Sequence, residues 1–342
     1  MAATAFDFYL PSELNASHPP ERRGIRRDHV KMMVLDKKTG NVRHDRFFRL
    51  ADYLKPSDLV VMNNSRTVPA ILQATLLRHT KQVQQDVEIR LARRRNEETW
   101  DVLIVTDDVG LGDILQFSPE LSAVVVDLKE SSPLKTISFS KKGTDLFNSI
   151  YALGEPIRYE YIQNKWGLDY YQTVFASQPG SVEMPSAGRA FSWELLFNLQ
   201  RKGIELDFIR LHTGLSYLLD DEYEPSPADN FEEYHLSEKT IEKIHNTKAA
   251  GGRVIAVGTT VVRALESAGV TGKLNGVTNL YINQNFPLKL VDGIITGFHE
   301  PKASHLDMLT AFVPQDLLWS AYEEAIHQQY LWHEFGDMNL IL

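Results

Sequence analysis

The chain contains no cysteine in its 342 residues. Disulfides, thiolate nucleophiles and Cys-ligated zinc or iron–sulfur clusters are therefore excluded together. No apolar run approaches the roughly 18 residues of a membrane span, and residues 1–11 show no basic segment followed by an apolar one, so a cytoplasmic address without a membrane partner is the expectation. Internal repeats and low-complexity tracts are also missing. Positive charge is scarce. With 36 Lys and Arg against 45 Asp and Glu, the formal net charge is -9, the wrong sign for a protein that holds a polyanion on a broad basic face. Two local groups run against this balance, Arg22, Arg23, Arg26 and Arg27, and Arg90, Arg93, Arg94 and Arg95; taken alone, each reads as solvated surface. Any chemistry must come from His, carboxylates, Lys, Arg, hydroxyls and backbone.

What is present is the composition of an ordinary globular protein, 43% hydrophobic and 24% charged, in a chain long enough for two domains or one with an insertion. The pattern predicts a main α/β (mixed α+β) domain formed by residues 1–69 and 143–342, interrupted at 70–142 by a small all-β, barrel-like domain. In the first part a strand is expected at 32–35, a short helix at 50–54 and a buried strand at 59–62. The insertion carries short β-rich runs at 87–91, 100–105, 123–128 and 136–139, separated by polar or glycine turns. Beyond it, Ser192 and Ser237 read as N-caps of two helices that stop at Gly203 and at Gly251-Gly252. Strands follow at 204–208 and 254–257, a β-like stretch at 289–295, and a last helix with Leu318, Tyr322, Ala325 and Ile326 on one face.

Three segments carry candidate chemistry. The apolar strand 254–257 runs into Gly258-Thr259-Thr260, with Arg263 one turn further on. A strand entering a helix through such residues exposes unpaired N–H groups, a cradle for a carboxylate or phosphate. The plainer alternative is a threonine N-cap with Arg263 on the surface. His212, within Leu211-His212-Thr213-Gly214, falls at the end of a strand as a proton-transfer group, a nucleobase contact or a structural histidine. Gly297-Phe298-His299-Glu300-Pro301-Lys302 forms a polar knot for proton transfer or substrate clamping, against which stands a plain loop ion pair. A metallopeptidase reading fails on spacing, since His299 and His305 are six apart rather than four and Pro301 intervenes, and no metal is expected. Gly272-Lys273 lacks the context of a P-loop. Asn63-Asn64-Ser65-Arg66 after a buried strand suits a polar ligand, and Phe335-Gly336-Asp337 offers a carboxylate held by a glycine turn.

These segments, with Phe6-Asp7-Phe8, Tyr171-Gln172-Thr173-Val174, Gly180-Ser181 and Pro185-Ser186-Ala187-Gly188, stand in the order found in one family. Across nearly its whole length the chain resembles the S-adenosylmethionine:tRNA ribosyltransferase-isomerases. The resemblance implies a metal-free reaction with S-adenosylmethionine as co-substrate and no other cofactor. Its ribose would be transferred and isomerised onto 7-aminomethyl-7-deazaguanine in tRNA, releasing adenine and methionine. By match, His212, His299, Glu232 and Asp337 fall in the catalytic group, and Gly258, Thr259, Thr260 and Arg263 at the anionic end of S-adenosylmethionine. Arg66, Lys302, Ser186 and Gly188 fall at the substrate. The chain departs from the family at four places. Arg189-Ala190-Phe191 stands where the family has Leu-His-Phe, and residues 227–232 keep Glu232 but no histidine. Residues 157–162 replace a proline-rich piece, and Tyr170 replaces an arginine. Two other readings stay open: a relative using S-adenosylmethionine on a small-molecule acceptor, and a non-catalytic nucleoside- or RNA-binding relative.

Overall fold

The computed structural model describes residues 7–129, 132–216 and 231–342. Four strands open the described chain, β1 (Lys31–Leu35), β2 (Val42–Arg46), β3 (Leu59–Asn63) and β4 (Ser65–Thr67). The next six are β5 (Ile71–Arg78), β6 (Lys81–Arg94), β7 (Thr99–Ile104), β8 (Ile114–Ser118), β9 (Leu121–Asp127) and β10 (Leu134–Phe139). After α1 (Gly143–Leu153) come β11 (Gln178–Ser181), α2 (Ser186–Arg189), α3 (Trp193–Arg201), β12 (Glu205–His212), β13 (Glu232–His235) and α4 (Glu238–Ala249). The chain ends through β14 (Val254–Val257), α5 (Thr259–Thr271), β15 (Asn275–Thr278), β16 (Gly293–Thr296), α6 (Ser304–Leu309), α7 (Gln315–His327) and β17 (Met338–Ile341).

Among the described residues, nine strands form one mixed sheet in the order β15-β13-β12-β3-β14-β16-β17-β1-β2. Its centre, β12, β3, β14 and β16, is parallel. β3, β14 and β16 are apolar runs buried at every residue, as strands covered on both faces must be. The period of two divides them between two cores. Leu59, Val61, Val254 and Ala256 pack under α4, α5 and α7 with Ile244, Leu265, Leu318 and Tyr322. Val60, Met62, Ile255 and Val257 pack on the opposite face with Phe47, Phe191, Leu195 and Leu199.

The β-rich stretch closes into a six-stranded barrel, β10-β7-β6-β5-β8-β9, antiparallel throughout. Leu72, Leu76, Ile89, Trp100, Leu115 and Ile137 fill it, and its core runs on into Leu146 and Ile150 of α1. The fold is thus α/β with a closed β-barrel attached.

The helix starts fall where the sequence puts them. Ser192 accepts from the Leu195 N–H and Ser237 from the Thr240 N–H, each satisfying one orphan donor of its helix. Two expectations are corrected. The helix expected at 50–54 is a 3-10 turn at Phe47–Asp52, whose threefold period puts Phe47 and Leu50 on the same buried side. The expected strand 289–295 forms only at Gly293–Thr296. Upstream, the Lys289, Leu290 and Val291 amides bond to the carboxylate of Glu266 at 2.9–3.0 Å instead of to a strand. Glu266 is fully buried, so its place in the segment after Gly258 is structural: it turns the chain toward β16.

Candidate active site

Because β12, β3, β14 and β16 run parallel and in close register, with Asn63 opposite Ile209 and Val257 opposite Ile295, their carboxyl ends share one edge. His212 ends β12, Asn64-Ser65-Arg66 follows β3, Gly258-Thr259-Thr260 follows β14, and Gly297-Phe298-His299 follows β16. β17 runs antiparallel to β16, so Asp337, just before it, comes to the same edge. Ligands of open α/β sheets bind outside these carboxyl ends. Segments distant in sequence are gathered by topology.

At the end of β14 the chain turns at Gly258, whose φ of +89° only glycine adopts readily. Gly258 is itself the N-cap of α5, so the threonine-cap reading fails. The Thr259 and Thr260 amides, at the head of a 13-residue helix, have no intrahelical acceptor. Arg263 is not on the surface either: its side chain is only 14% exposed, and it is ion-paired to Glu232, 6% exposed, at the start of β13. Its Nε is buried without a hydrogen-bond partner among the described residues. Burial pushes the Glu232 carboxyl up and Arg263 pulls it back.

The end of β16 brings Arg263 into the field of the histidines. His299 and His305 stack with ring centroids 4.9 Å apart and planes 13° apart. The Nε2 of His299 lies 2.8 Å from Thr296 Oγ1, and its carbonyl accepts from Trp332 Nε1 at 3.1 Å. Burial, with His305 and His333 nearby, holds His299 well below the usual imidazole range. Burial and the Arg263 charge bring His305 down to about 4. Both are neutral imidazoles at physiological pH.

His212 sits in its own relay. Its Nδ1 is 2.7 Å from Ser65 Oγ, which is 2.6 Å from Ser181 Oγ. The relay exists because Asn63 splices β3 to β12, donating to the Leu211 carbonyl at 2.8 Å and accepting from the Leu211 amide at 3.0 Å. The ring lies on Gly180, where any Cβ would come within 2.7 Å of it. Burial, followed by the charges of Arg210 and Arg94, brings His212 down to about 4. Arg94 belongs to the barrel, and the Leu215 N–H bonds to the barrel's Ala92 carbonyl at 3.1 Å, so the barrel flanks the site.

These shifts have a testable sign. Unfolded, His212 titrates near its ordinary 6.5; folded, near 4. Between those values the unfolded chain binds more protons, so stability is full above pH 6.5 and is lost as pH falls toward 4. The contribution is on the order of 3 kcal/mol. The stability difference between wild type and His212→Gln is expected to change by about that amount from pH 7 to pH 4; denaturant titrations at the two pH values measure it, and a pH-independent difference would show that the ring is not held neutral.

Asp337 is buried, and its oxygens accept from the Lys31 and Leu331 amides, each at 2.7 Å. Ser186 and Asp337 line one cleft with Gly297, His333 and Glu334. Gly188 is buried against Thr173 and Phe175. Arg66 is exposed, its guanidinium 5.1 Å over Tyr151. Lys302 is 66% exposed and pairs with Asp7 at 3.2 Å. Residues 227–230 of the segment ending at Glu232 lie outside the described residues. Most arginines of the two groups are ion-paired: Arg26 with Asp28, Arg27 with Glu21, Arg90 with Glu88, and Arg93 and Arg95 with Asp101.

Tyr159, Tyr161, His333, Glu183 and Glu334 also converge here and carried no local signal. Each comes from a segment without a pattern of its own, and only the sheet order assembles them. Where the family has Leu-His, Arg189 is buried, donating to the Tyr170 carbonyl and the Glu21 carboxylate at 2.7 Å each. Among the described residues no three His, Asp or Glu side chains group as a metal site, and no helix is long and apolar enough to cross a membrane.

Comparison with known proteins identifies the family. The model of the queuosine biosynthesis protein family matches residues 3–341. An S-adenosylmethionine:tRNA ribosyltransferase-isomerase of Carboxydothermus hydrogenoformans is 35% identical over 98% of both chains. One of Thermotoga maritima is 34% identical over the full length of both. The crystal structure of S-adenosylmethionine tRNA ribosyltransferase from Thermotoga maritima superposes with a TM-score of 0.57 at 31% identity, covering 99% of this chain and 100% of that one. With the family model spanning all but the ends and relatives matched over 98% or more of their length, the chain belongs to the queuosine biosynthesis protein family of S-adenosylmethionine:tRNA ribosyltransferase-isomerases.

Proposed function

We propose that the protein transfers and isomerises the ribosyl group of S-adenosylmethionine onto 7-aminomethyl-7-deazaguanine in tRNA, giving epoxyqueuosine, adenine and methionine. One observation carries the reading: a buried, ion-paired Arg263 at the open N-terminus of α5 stands beside stacked neutral histidines at the carboxyl edge of the sheet. The Thr259 and Thr260 amides and the unpartnered Nε of Arg263 take the methionyl carboxylate. Glu232, on the other side of that guanidinium, takes the methionyl ammonium. The zwitterion so anchored directs its sulfonium and ribose along the edge toward His299.

A neutral His299 accepts the proton from the carbon beside the sulfonium, which a protonated imidazole could not do. When Ser65 donates to Nδ1 of His212, Nε2 carries the ring hydrogen, keeps it, and donates a hydrogen bond to the departing adenine. Asp337, with both oxygens occupied, is a positioning residue that fixes the 331–337 turn under the site. Ser186 and Gly188 wall the cleft, while exposed Arg66 and Lys302 reach the acceptor's phosphates. The net charge of -9 confines tRNA contact to such local positions. A groove of about 280 Å³ lined by Tyr151, Arg158, Lys165 and Trp166 opens beside Arg66, and aromatic rings flanked by cations suit unpaired nucleotides. The reaction so drawn uses S-adenosylmethionine as co-substrate and calls on no metal.

The test is to incubate the protein with S-adenosylmethionine, with and without tRNA carrying the aminomethyl-deazaguanine base. Adenine and methionine are expected only when that tRNA is present. Release that is independent of tRNA, or none in its presence, would contradict the reading.

A further inference from the structure

Between the ends of β12 and β16 lie side chains that the steps above leave unused. The rings of Tyr159 and Tyr161 stack with centroids 5.7 Å apart and planes 14° apart, and Tyr161 stacks in turn on His333 at 4.9 Å and 26°. His333 is fixed from both sides, Nδ1 against Glu300 at 3.0 Å and Nε2 against Asn15 Oδ1 at 2.9 Å. Its backbone N–H reaches the Phe298 carbonyl, which ties the stack to the segment carrying His299.

Glu334 stands beside these rings, in the same cleft as Ser186 and Gly297. Its Oε2 is shut off from solvent and has no hydrogen-bond partner among the described residues. Glu183, which accepts from the Ser216 amide at 2.7 Å, and Glu300 place further negative charge around the two tyrosines. Arg189 is the cation facing Glu334, yet its Nε donates to the Tyr170 carbonyl and one Nη to Glu21. A carboxyl oxygen shut off from solvent with no protein partner is a seat for a donor from outside the chain. Flat rings beside carboxylates select a planar group that carries a positive charge.

From this geometry we infer that the acceptor base binds at the mouth of this cleft: its deazaguanine ring packs against Tyr159 and Tyr161, which are partly exposed, and its aminomethyl ammonium, a group the size of the single water the cleft has room for, enters to pair with Glu334. The inference rests on the acceptor named above and assigns the residue that reads its amino group. Burial and Glu183 push the Glu334 carboxyl up to about 8, so it is protonated in the empty site at neutral pH, and the entering ammonium displaces that proton to solvent and leaves a carboxylate still basic enough to share one of the ammonium's protons. A proton can therefore pass from ammonium to carboxylate: an N–H bond breaks, an O–H bond forms, and the lone pair left on nitrogen makes the amine a nucleophile. S-adenosylmethionine also carries an ammonium, a sulfonium and a planar base, so the test must separate the two ligands.

The experiment compares wild type and Glu334→Gln for S-adenosylmethionine affinity and for turnover of tRNA bearing the aminomethyl base, with tRNA bearing the 7-cyano analogue as competitor. Wild type is expected to bind the amine-bearing tRNA about 10- to 100-fold more tightly than the nitrile. Glu334→Gln should abolish that preference and leave S-adenosylmethionine affinity within about threefold, with no fall in Tm at pH 7. Tyr159→Leu is the second variant, expected to weaken amine- and nitrile-bearing tRNA alike. If Glu334→Gln keeps the wild-type preference, or loses S-adenosylmethionine affinity instead, the subsite is misassigned; Tyr159→Leu with unchanged tRNA binding would say the same. Wild-type protein that releases no adenine with the aminomethyl tRNA would overturn the function reading itself, and the subsite with it.

Discussion

Replacing Arg263 with methionine is expected to abolish measurable binding of S-adenosylmethionine and to cost stability as well. Both effects come from one pair. Arg263 and Glu232 are buried together, and removing one partner of such a pair leaves an uncompensated charge worth about 3–5 kcal/mol. Glu232 can limit that loss by binding a proton, since burial already pushes its carboxyl up. The sign follows: its folded pKa rises further in the variant, so the variant is least impaired below pH 4.5 and loses stability as pH rises. Adding Glu232→Gln should restore much of the stability at neutral pH, because an amide has no charge to bury. It should not restore binding, since the carboxylate anchor remains absent. Calorimetric titration and denaturant midpoints on the single and double variants measure the two effects separately. An Arg263→Met protein that binds S-adenosylmethionine normally would remove the anchoring role.

His299→Gln is expected to lower kcat for adenine release by about 10²- to 10⁴-fold, the range for removing a general base, while S-adenosylmethionine affinity changes little. Glutamine keeps a polar group near Thr296 but cannot take a proton. The pH profile adds a check that packing loss would not mimic. Burial and the two neighbouring histidines hold His299 well below the ordinary imidazole range, so the wild-type enzyme should stay fully active at pH 6, where an exposed imidazole is mostly protonated. Single-turnover adenine release between pH 5 and 8 measures this. An acid limb centred near 6.5 would mean that the proton acceptor is some other, exposed group.

How much of this was legible in the sequence depended on the range of the interactions. Ser192 and Ser237 were readable as caps because a cap and its amide lie three residues apart. The strand 254–257 was readable because a parallel strand buried on both faces must be apolar throughout; Gly258 as the cap of α5 was not, because the adjoining threonines are the better caps by residue type. The barrel showed as a change of texture, although nothing local reveals that β10 closes onto β7. Carboxylates were hardest to read. Glu266 and Asp337 look like site residues by type and spacing, yet their oxygens are taken by backbone amides. Glu334 looks like any solvated glutamate, yet one of its oxygens is buried without a partner. What separates these cases is the set of groups that the sheet order brings alongside, which involves residues from opposite ends of the chain. Arg189 illustrates the same limit, since an arginine in place of leucine reads as a surface change but is buried against Phe335, 5.1 Å from its ring, and bonded to Glu21.

The most direct measurement is a crystal structure of the protein with S-adenosylmethionine bound. The expected result is a methionyl carboxylate within hydrogen-bond distance of Arg263 and the Thr259 and Thr260 amides, with the ribose carbon beside the sulfonium turned toward His299. Density for the molecule at any other place, or bound with its carboxylate turned away from α5, would contradict a carboxyl-edge site built on Arg263.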